Sequence, residues 1–300
     1  MTTAQRTDRF FRYLQFEKRV SPNTLVSYQT DLSQFFYYLE HQYQIKTLPE
    51  ITHFLIRSWI VKLMDEGIVA KSVNRKISAL KTFFRFLMTE KAIVSNPMTK
   101  IISPKIPKRL PEFVPKENME NLFAQIDFGE GIQGMRDRLV LEILYGTGIR
   151  RAELAGLKDH SFSASKVQLR VLGKRNKERI LPVTPVVARL IQSYIDEKNK
   201  LLKFVTNPGD FLILDNHFKP IKPAQIYSIV KKYLSAATSL RKKSPHVLRH
   251  TFATHLLNNG ADINAVKELL GHASLAATQV YTHNTIDKLR KVYRQAHPKA

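Results

Sequence analysis

The stretch "SPHVLRH", residues 244–250, decides how the second half of this chain is read. Ser244 followed by Pro245 is a helix start: an N-cap hydroxyl, then a proline whose fixed φ and missing N–H suit the first turn. On such a helix His246 and Arg249 fall three apart and share one face. An imidazole and a guanidinium beside a helix N-terminus form either an ordinary solvated face or half of a site that handles an anion. The free N–H groups and the helix dipole favour negative charge at the same place.

The composition around that stretch supplies the anion. Of 300 residues, 48 are Lys or Arg against 25 Asp or Glu, a formal net charge of +23. A compact body with that charge repels itself, so a polyanionic partner is expected. Nucleic acid fits best, because neutralising its phosphates releases counterions. Hydrophobic residues make up 43% of the chain, enough for real cores, and the length suits two domains. There are no cysteines, which excludes disulfides, thiol chemistry and cysteine-based zinc sites. No stretch approaches the roughly 18 apolar residues of a membrane span. The N-terminal "MTTAQRTDRFFRYLQ" has no apolar run ahead of a small-residue cleavage site, so a cytoplasmic location is expected.

The first hundred residues read as four helices. The second opens on Ser21-Pro22 in "SPNTLVSYQTDL", and the third stops at Gly67. In the fourth, "AKSVNRKISALKTFFRFLMTEK", Val73, Ile77, Leu80, Phe84 and Leu87 make an apolar stripe. Lys71, Arg75, Lys76 and Arg85 lie off it. In a chain of this charge these cations are expected to face DNA. Prolines at 97, 104, 107, 111 and 115 block helix and favour extended backbone. The expected division is a helical DNA-binding domain over 1–103, a linker over 104–115 and a second domain over 116–300.

The second domain reads as mostly helical around a small antiparallel sheet, which makes the fold class mainly α. "GMRDRLVLEILYGTGIRRAELAGL" gives a helix, a Gly-Thr-Gly break and a short helix. "KVQLRVLGKRNKERILPV" gives a hairpin, and "DFLILDN" a candidate third strand. Further helices are expected over 184–202, 223–240, 245–258, 262–270, 274–282 and 284–296, with Gly260 and Gly271 at C-cap positions.

Six residues of this domain stand out: Arg150, Lys174, His246, Arg249, His272 and Tyr281. Singly, each has an ordinary structural explanation. Together, "GTGIRRAEL", "VLGKRNKER", "HVLRHTFATHLL", "LLGHASLAATQVYTH" and the ending "AHPKA" resemble, in order, the signature segments of the tyrosine recombinase family, and within it the bacterial Xer recombinases. The likeness runs over nearly the whole chain. It implies a site-specific recombinase that cuts and rejoins DNA through a 3′-phosphotyrosyl intermediate, with chromosome or plasmid dimer resolution as its role. A mobile-element integrase of the same chemistry and a non-cutting DNA-binding protein are the rival readings. The chain's start directly at the core-binding helices favours the Xer group over integrases that carry an extra arm-binding domain.

The resemblance assigns roles that the chemistry justifies. Two guanidiniums, Arg150 and Arg249, clamp the non-bridging oxygens of a phosphodiester as charge builds on them. Tyr281 is the nucleophile. Lys174 protonates the departing 5′-oxygen, while His246 and His272 bind the phosphate or accept the phenol proton. Glu153 is a support for the site, His250 is structural, and Arg151 adds a phosphate contact. The residues Arg151 and Ala152 stand where the family often has a small apolar residue and serine, neither at a catalytic position.

No cofactor or metal is expected. There is no G-x-x-x-x-G-K-[ST] loop and no carboxylate cluster for paired magnesium ions, and a transesterification that conserves bond energy requires neither. The implied partners are duplex DNA, three further protomers of this or a related recombinase, and an activating DNA translocase. The terminal segment "NTIDKLRKVYRQAHPKA" is amphipathic. The family precedent docks it into a neighbouring protomer, although its pattern suits packing on its own domain as well.

Overall fold

The computed structural model describes residues 1–106, 112–173, 178–203, 209–271 and 283–299, the side chains of 283–288 excepted. The chain divides into two compact units, Met1–Arg109 and Leu110–Ala300.

The first unit is helical. Helix α1 (Thr3–Arg12) continues through a wider turn, Tyr13–Glu17, and is followed by α2 (Pro22–Tyr43), α3 (His53–Asp65) and α4 (Ala70–Thr89). As the Ser-Pro signal predicts, the Ser21 side chain accepts from the Thr24 N–H at 3.2 Å and Pro22 opens α2. The stripe of α4 is core: Val73, Ile77, Leu80, Phe84 and Leu87 are all buried. Aromatic rings pack across it, with Phe10 edge-on to Phe83 at 5.2 Å. The proline-rich segment joins this core as well, since Met98 and Ile101 are buried and the Asn74 side-chain amide donates to the Pro104 carbonyl at 2.9 Å.

The second unit is built around α6 (Gly131–Thr147), whose Leu139, Val140, Leu141, Ile143, Leu144 and Tyr145 are buried on every side. A helix whose second half is buried on every side, its Glu142 paired with Lys299, has to be central. Around it lie α5 (Lys116–Gln125), α7 (Arg151–Ala155), α8 (Pro185–Leu202), α9 (Pro223–Ala237), α10 (Pro245–Asn258), α11 (Ile263–Leu270) and α12 (His283–Ala296). The sheet has three antiparallel strands in the order β1 (Phe162–Ser163), β2 (Gln168–Leu172) and β3 (Glu178–Pro182), with Arg170 opposite Ile180.

Two sequence expectations need correcting. "DFLILDN" is not a strand of the sheet: it forms only single bridges, Lys158 to Phe211 and Leu214 to Pro220. Leu212, Ile213 and Leu214 are buried in sequence, so the segment has no alternating face to offer a strand partner. The end of the expected linker is core of the second unit, with Val114 fully buried and its N–H donating to Thr251 Oγ1 at 2.9 Å. In the single chain the terminal segment packs on its own unit, one of the two arrangements its amphipathic pattern allows. Leu289, Tyr293, Ala296 and His297 are buried, and the Tyr293 hydroxyl donates to the Gly146 carbonyl at 2.7 Å. The expected helix over 274–282 lies outside the described residues.

Candidate active site

Two helix ends frame the site. Helix α6 closes on Gly148 (φ +61°) and α11 on Gly271 (φ +63°), both left-handed. A Cβ on Gly148 would stand 2.4 Å from Phe252 Cδ1, so α6 ends directly against α10 and only glycine fits there. The last carbonyls of a helix have no donor of their own, and three arginines supply one here.

Arg249, in the second turn of α10, lies between buried Leu248 and Phe252 and is itself buried. Its Nη1 donates to the Gly148 carbonyl at 2.6 Å and its Nη2 to the Leu270 carbonyl at 2.5 Å. Arg150 follows Gly148 by two residues and occupies the cap position before α7. Its Nη2 donates to the Gly271 carbonyl at 3.3 Å and its Nη1 to Glu153 at 2.8 Å, while its backbone N–H donates to the other Glu153 oxygen at 2.9 Å. Its side chain is 37% exposed. The two arginines therefore meet on consecutive carbonyls at the end of α11, and Arg150 keeps an open side.

A third arginine was not singled out from the sequence. Arg179, on β3, is buried and grips Glu153 with two donors, Nη1 at 3.0 Å and Nη2 at 2.7 Å. Its Nε donates to the Leu269 carbonyl at 3.3 Å. The signal for it lay in the strand alternation. In "ERILP" Arg179 shares the inward face with Leu181, and a charge on an inward strand position requires a partner.

The electrostatics are lopsided. Burial pushes the Glu153 carboxyl up, but the Arg179 hydrogen bonds, the Arg150 N–H and the neighbouring charges overcome this and hold it at about 2. Burial, then repulsion from Arg150, lowers Arg249 to about 10, which leaves it charged at neutral pH. Among the described contacts of this cluster, three guanidiniums face one carboxylate, an excess of positive charge. Such a cluster, partly open at Arg150, suits an oxyanion whose charge grows during a reaction.

The remaining sequence candidates divide. Ser244 stands at the start of α10 with extended backbone and Pro245 follows, but the Ser244 hydroxyl does not cap the helix. His246 is exposed in the first turn of α10, His250 is half-buried, and Arg151 is exposed at the first position of α7. Lys174, His272 and Tyr281 lie outside the described residues.

In the first unit Lys71 and Arg85 are exposed, as expected of cations off the stripe. Lys76 is a correction. It is buried beside Ile77, with its ammonium 2.9 Å from the fully buried Asp31 carboxylate and bonded also to Gln34. The apolar face of α4 is wider than the stripe, and a lysine at its margin was drawn inward by a buried acid on α2. Arg75 binds the same carboxylate from the rim and is 44% exposed.

Arginines gathered on helix ends in a mainly α unit beside a small sheet offer a place for an anion, and comparison with known proteins gives the class of the chain. Residues 112–288 match the phage integrase family and residues 7–91 its N-terminal SAM-like domain. The chain belongs to the phage integrase family, the tyrosine recombinases, and is a DNA strand-exchange enzyme.

Within the family it is Xer-like. It is 40% identical to the tyrosine recombinase XerC of Listeria monocytogenes serotype 4b (strain F2365), over 97% of both chains. It is 39% identical to that of Halalkalibacterium halodurans, over 97% of this chain and 96% of the other. Among solved structures, XerH bound to its difH substrate before cleavage is 25% identical, with a TM-score of 0.66, over 89% of this chain and 78% of that one. A lambda integrase tetramer on a Holliday junction shares the fold at 19% identity and a TM-score of 0.69, over 92% of this chain and 76% of that one.

Proposed function

We propose that this recombinase cuts and rejoins one strand at a time of duplex DNA, with Tyr281 as nucleophile. The phenol oxygen attacks phosphorus, the P–O5′ bond breaks, and a 3′-phosphotyrosyl link stores the energy of the broken bond. Arg150 and Arg249 hold the two non-bridging oxygens as the five-coordinate state gathers charge. The phenol proton passes to His246 or His272, and Lys174 delivers a proton to the leaving 5′-oxygen. Attack by a 5′-hydroxyl from the partner duplex reverses each step and completes exchange. Lys71, Arg75 and Arg151 contact the phosphate backbone, whereas Lys76 holds Asp31.

The observation that carries this reading is the meeting of Arg150 and Arg249 on the adjacent carbonyls of Leu270 and Gly271, with positive charge in excess among the described contacts. Four protomers act on two duplexes, this chain alone or with a related recombinase, in the cytoplasm. Resolution of chromosome or plasmid dimers is the role, and a DNA translocase is the activating partner. The full-length likeness to XerC relatives supports this role over that of a mobile-element integrase.

A duplex nicked beside the cleavage point, run on a denaturing gel, tests the chemistry. The protein should form a covalent adduct that Tyr281→Phe abolishes while duplex binding survives. An adduct that persists in the Tyr281→Phe protein overturns the assignment.

A further inference from the structure

The three arginines do not bind α11 at scattered points. Arg179 takes the Leu269 carbonyl, Arg249 takes Leu270 and Arg150 takes Gly271, so three consecutive carbonyls of one helix end are each held by a different arginine from a different element. Arg179 ties strand β3 both to the α7 cap and to the end of α11. It stands on the strand that returns from the β2–β3 turn, where Lys174 lies in the sequence. It grips Glu153, which in turn holds both the backbone and the guanidinium of Arg150. It also packs against the last residue before His272, where a Cβ on Gly271 would come within 3.2 Å of Arg179 Cδ.

From this geometry we propose that Arg179 is a positioning residue for strand cleavage. It sets the register between the strand of the Lys174 hairpin, the Arg150–Glu153 cap and the helix end from which the chain runs on toward Tyr281. It touches neither DNA nor the reacting atoms. The inference rests on the catalytic roles proposed above.

Only arginine does this. The planar fork engages both carboxylate oxygens with its Nη atoms while Nε points elsewhere. Lysine keeps the charge beside Glu153, but a single ammonium cannot fix the carboxylate in plane and hold a carbonyl on the other side. The end of α11 is then free to shift against the cap. A displacement of about 1 Å at a reacting centre is enough to slow a reaction roughly 100-fold.

The test is single-turnover cleavage of the nicked duplex by the full-length Arg179→Lys protein at saturating concentration, with the rate constant separated from the adduct amplitude and duplex affinity measured alongside. The expected result is a rate constant roughly 100-fold lower, with unchanged amplitude and affinity within about threefold. A rate constant within about threefold of the parent protein's, or a lowered amplitude at an unchanged rate constant, would each overturn the proposal. The last is the mark of a side chain that only supports folding. Should the parent protein form no Tyr281-dependent adduct, the underlying catalytic reading fails instead, and the two failures are told apart.

Discussion

Arg249 carries two loads at once. Its guanidinium satisfies the buried ends of α6 and α11 and supplies charge to the site. Arg249→Ala should therefore lower stability by roughly 2–4 kcal/mol, because two buried carbonyls lose charged donors, and lower single-turnover cleavage by roughly 10²–10³-fold. Denaturant unfolding and the nicked-duplex assay read the two losses separately. Arg249→Lys should return part of the stability and little of the rate, since one ammonium cannot serve two carbonyls and a phosphate in fixed directions. Gly148 is constrained by conformation and space together. Gly148→Ala should cost roughly 2–4 kcal/mol in the same unfolding measurement, from the left-handed backbone and the contact with Phe252. Glu153, held at about 2 in the folded protein against an ordinary 4.5, contributes stability that is complete above pH 4.5 and is lost as pH falls toward 2. Cleavage measured between about pH 5 and 9 should show no inflection from it, because both values lie below that window.

At the scale of elements, α12 shows how a terminal helix is held in place by polar groups rather than by its amphipathic stripe alone. Lys299 pairs with both oxygens of the buried Glu142 at 2.6 Å, and His297 stacks on Tyr293 with ring centres 4.9 Å apart. Burial, the largest cause, lowers His297 to about 4 from 6.5, outweighing its bond to the Tyr145 carbonyl. The sign follows from linkage. The undocked histidine binds a proton below pH 6.5 and the docked one only near 4, so docking weakens as pH falls between those values. Hydrogen exchange of residues 289–297 should speed up relative to α6 as pH is lowered from 7 to about 5, after correction for intrinsic rates. His297→Phe should remove most of that pH dependence. Unchanged relative protection would show that the histidine does not hold the segment. Helix α4 carries the contrasting lesson that its cations are not equivalent. Lys71 is solvated, Arg75 is half-anchored and Lys76 is internal.

At the scale of the whole molecule, the net charge of +23 should appear as steep salt dependence of duplex affinity, with log K falling linearly in log salt. Lys71→Ala should reduce that slope by about one unit, as expected for one lost phosphate contact. Lys76→Ala should leave the slope nearly unchanged. It should instead destabilise the first unit by roughly 3 kcal/mol or more, because Asp31 is left buried with one weaker partner. Titrations at several salt concentrations, paired with unfolding curves, separate a DNA contact from an internal ion pair.

The sequence by itself determined the helical class, the helix starts at Ser21 and Thr184, the β2–β3 hairpin and the residues of the recombinase segments. These are written in short-range terms: cap chemistry, a 3.6-residue or two-residue apolar period, and side-chain types at fixed spacing. Only the tertiary structure decided which charges face solvent and which face each other. Arg179 sits 26 residues from Glu153 and 90 from Leu269, and no local period marks that meeting. Lys76 and Asp31 are 45 apart. A charged side chain takes its meaning from the partner that compensates it, and in this fold that partner comes from another element.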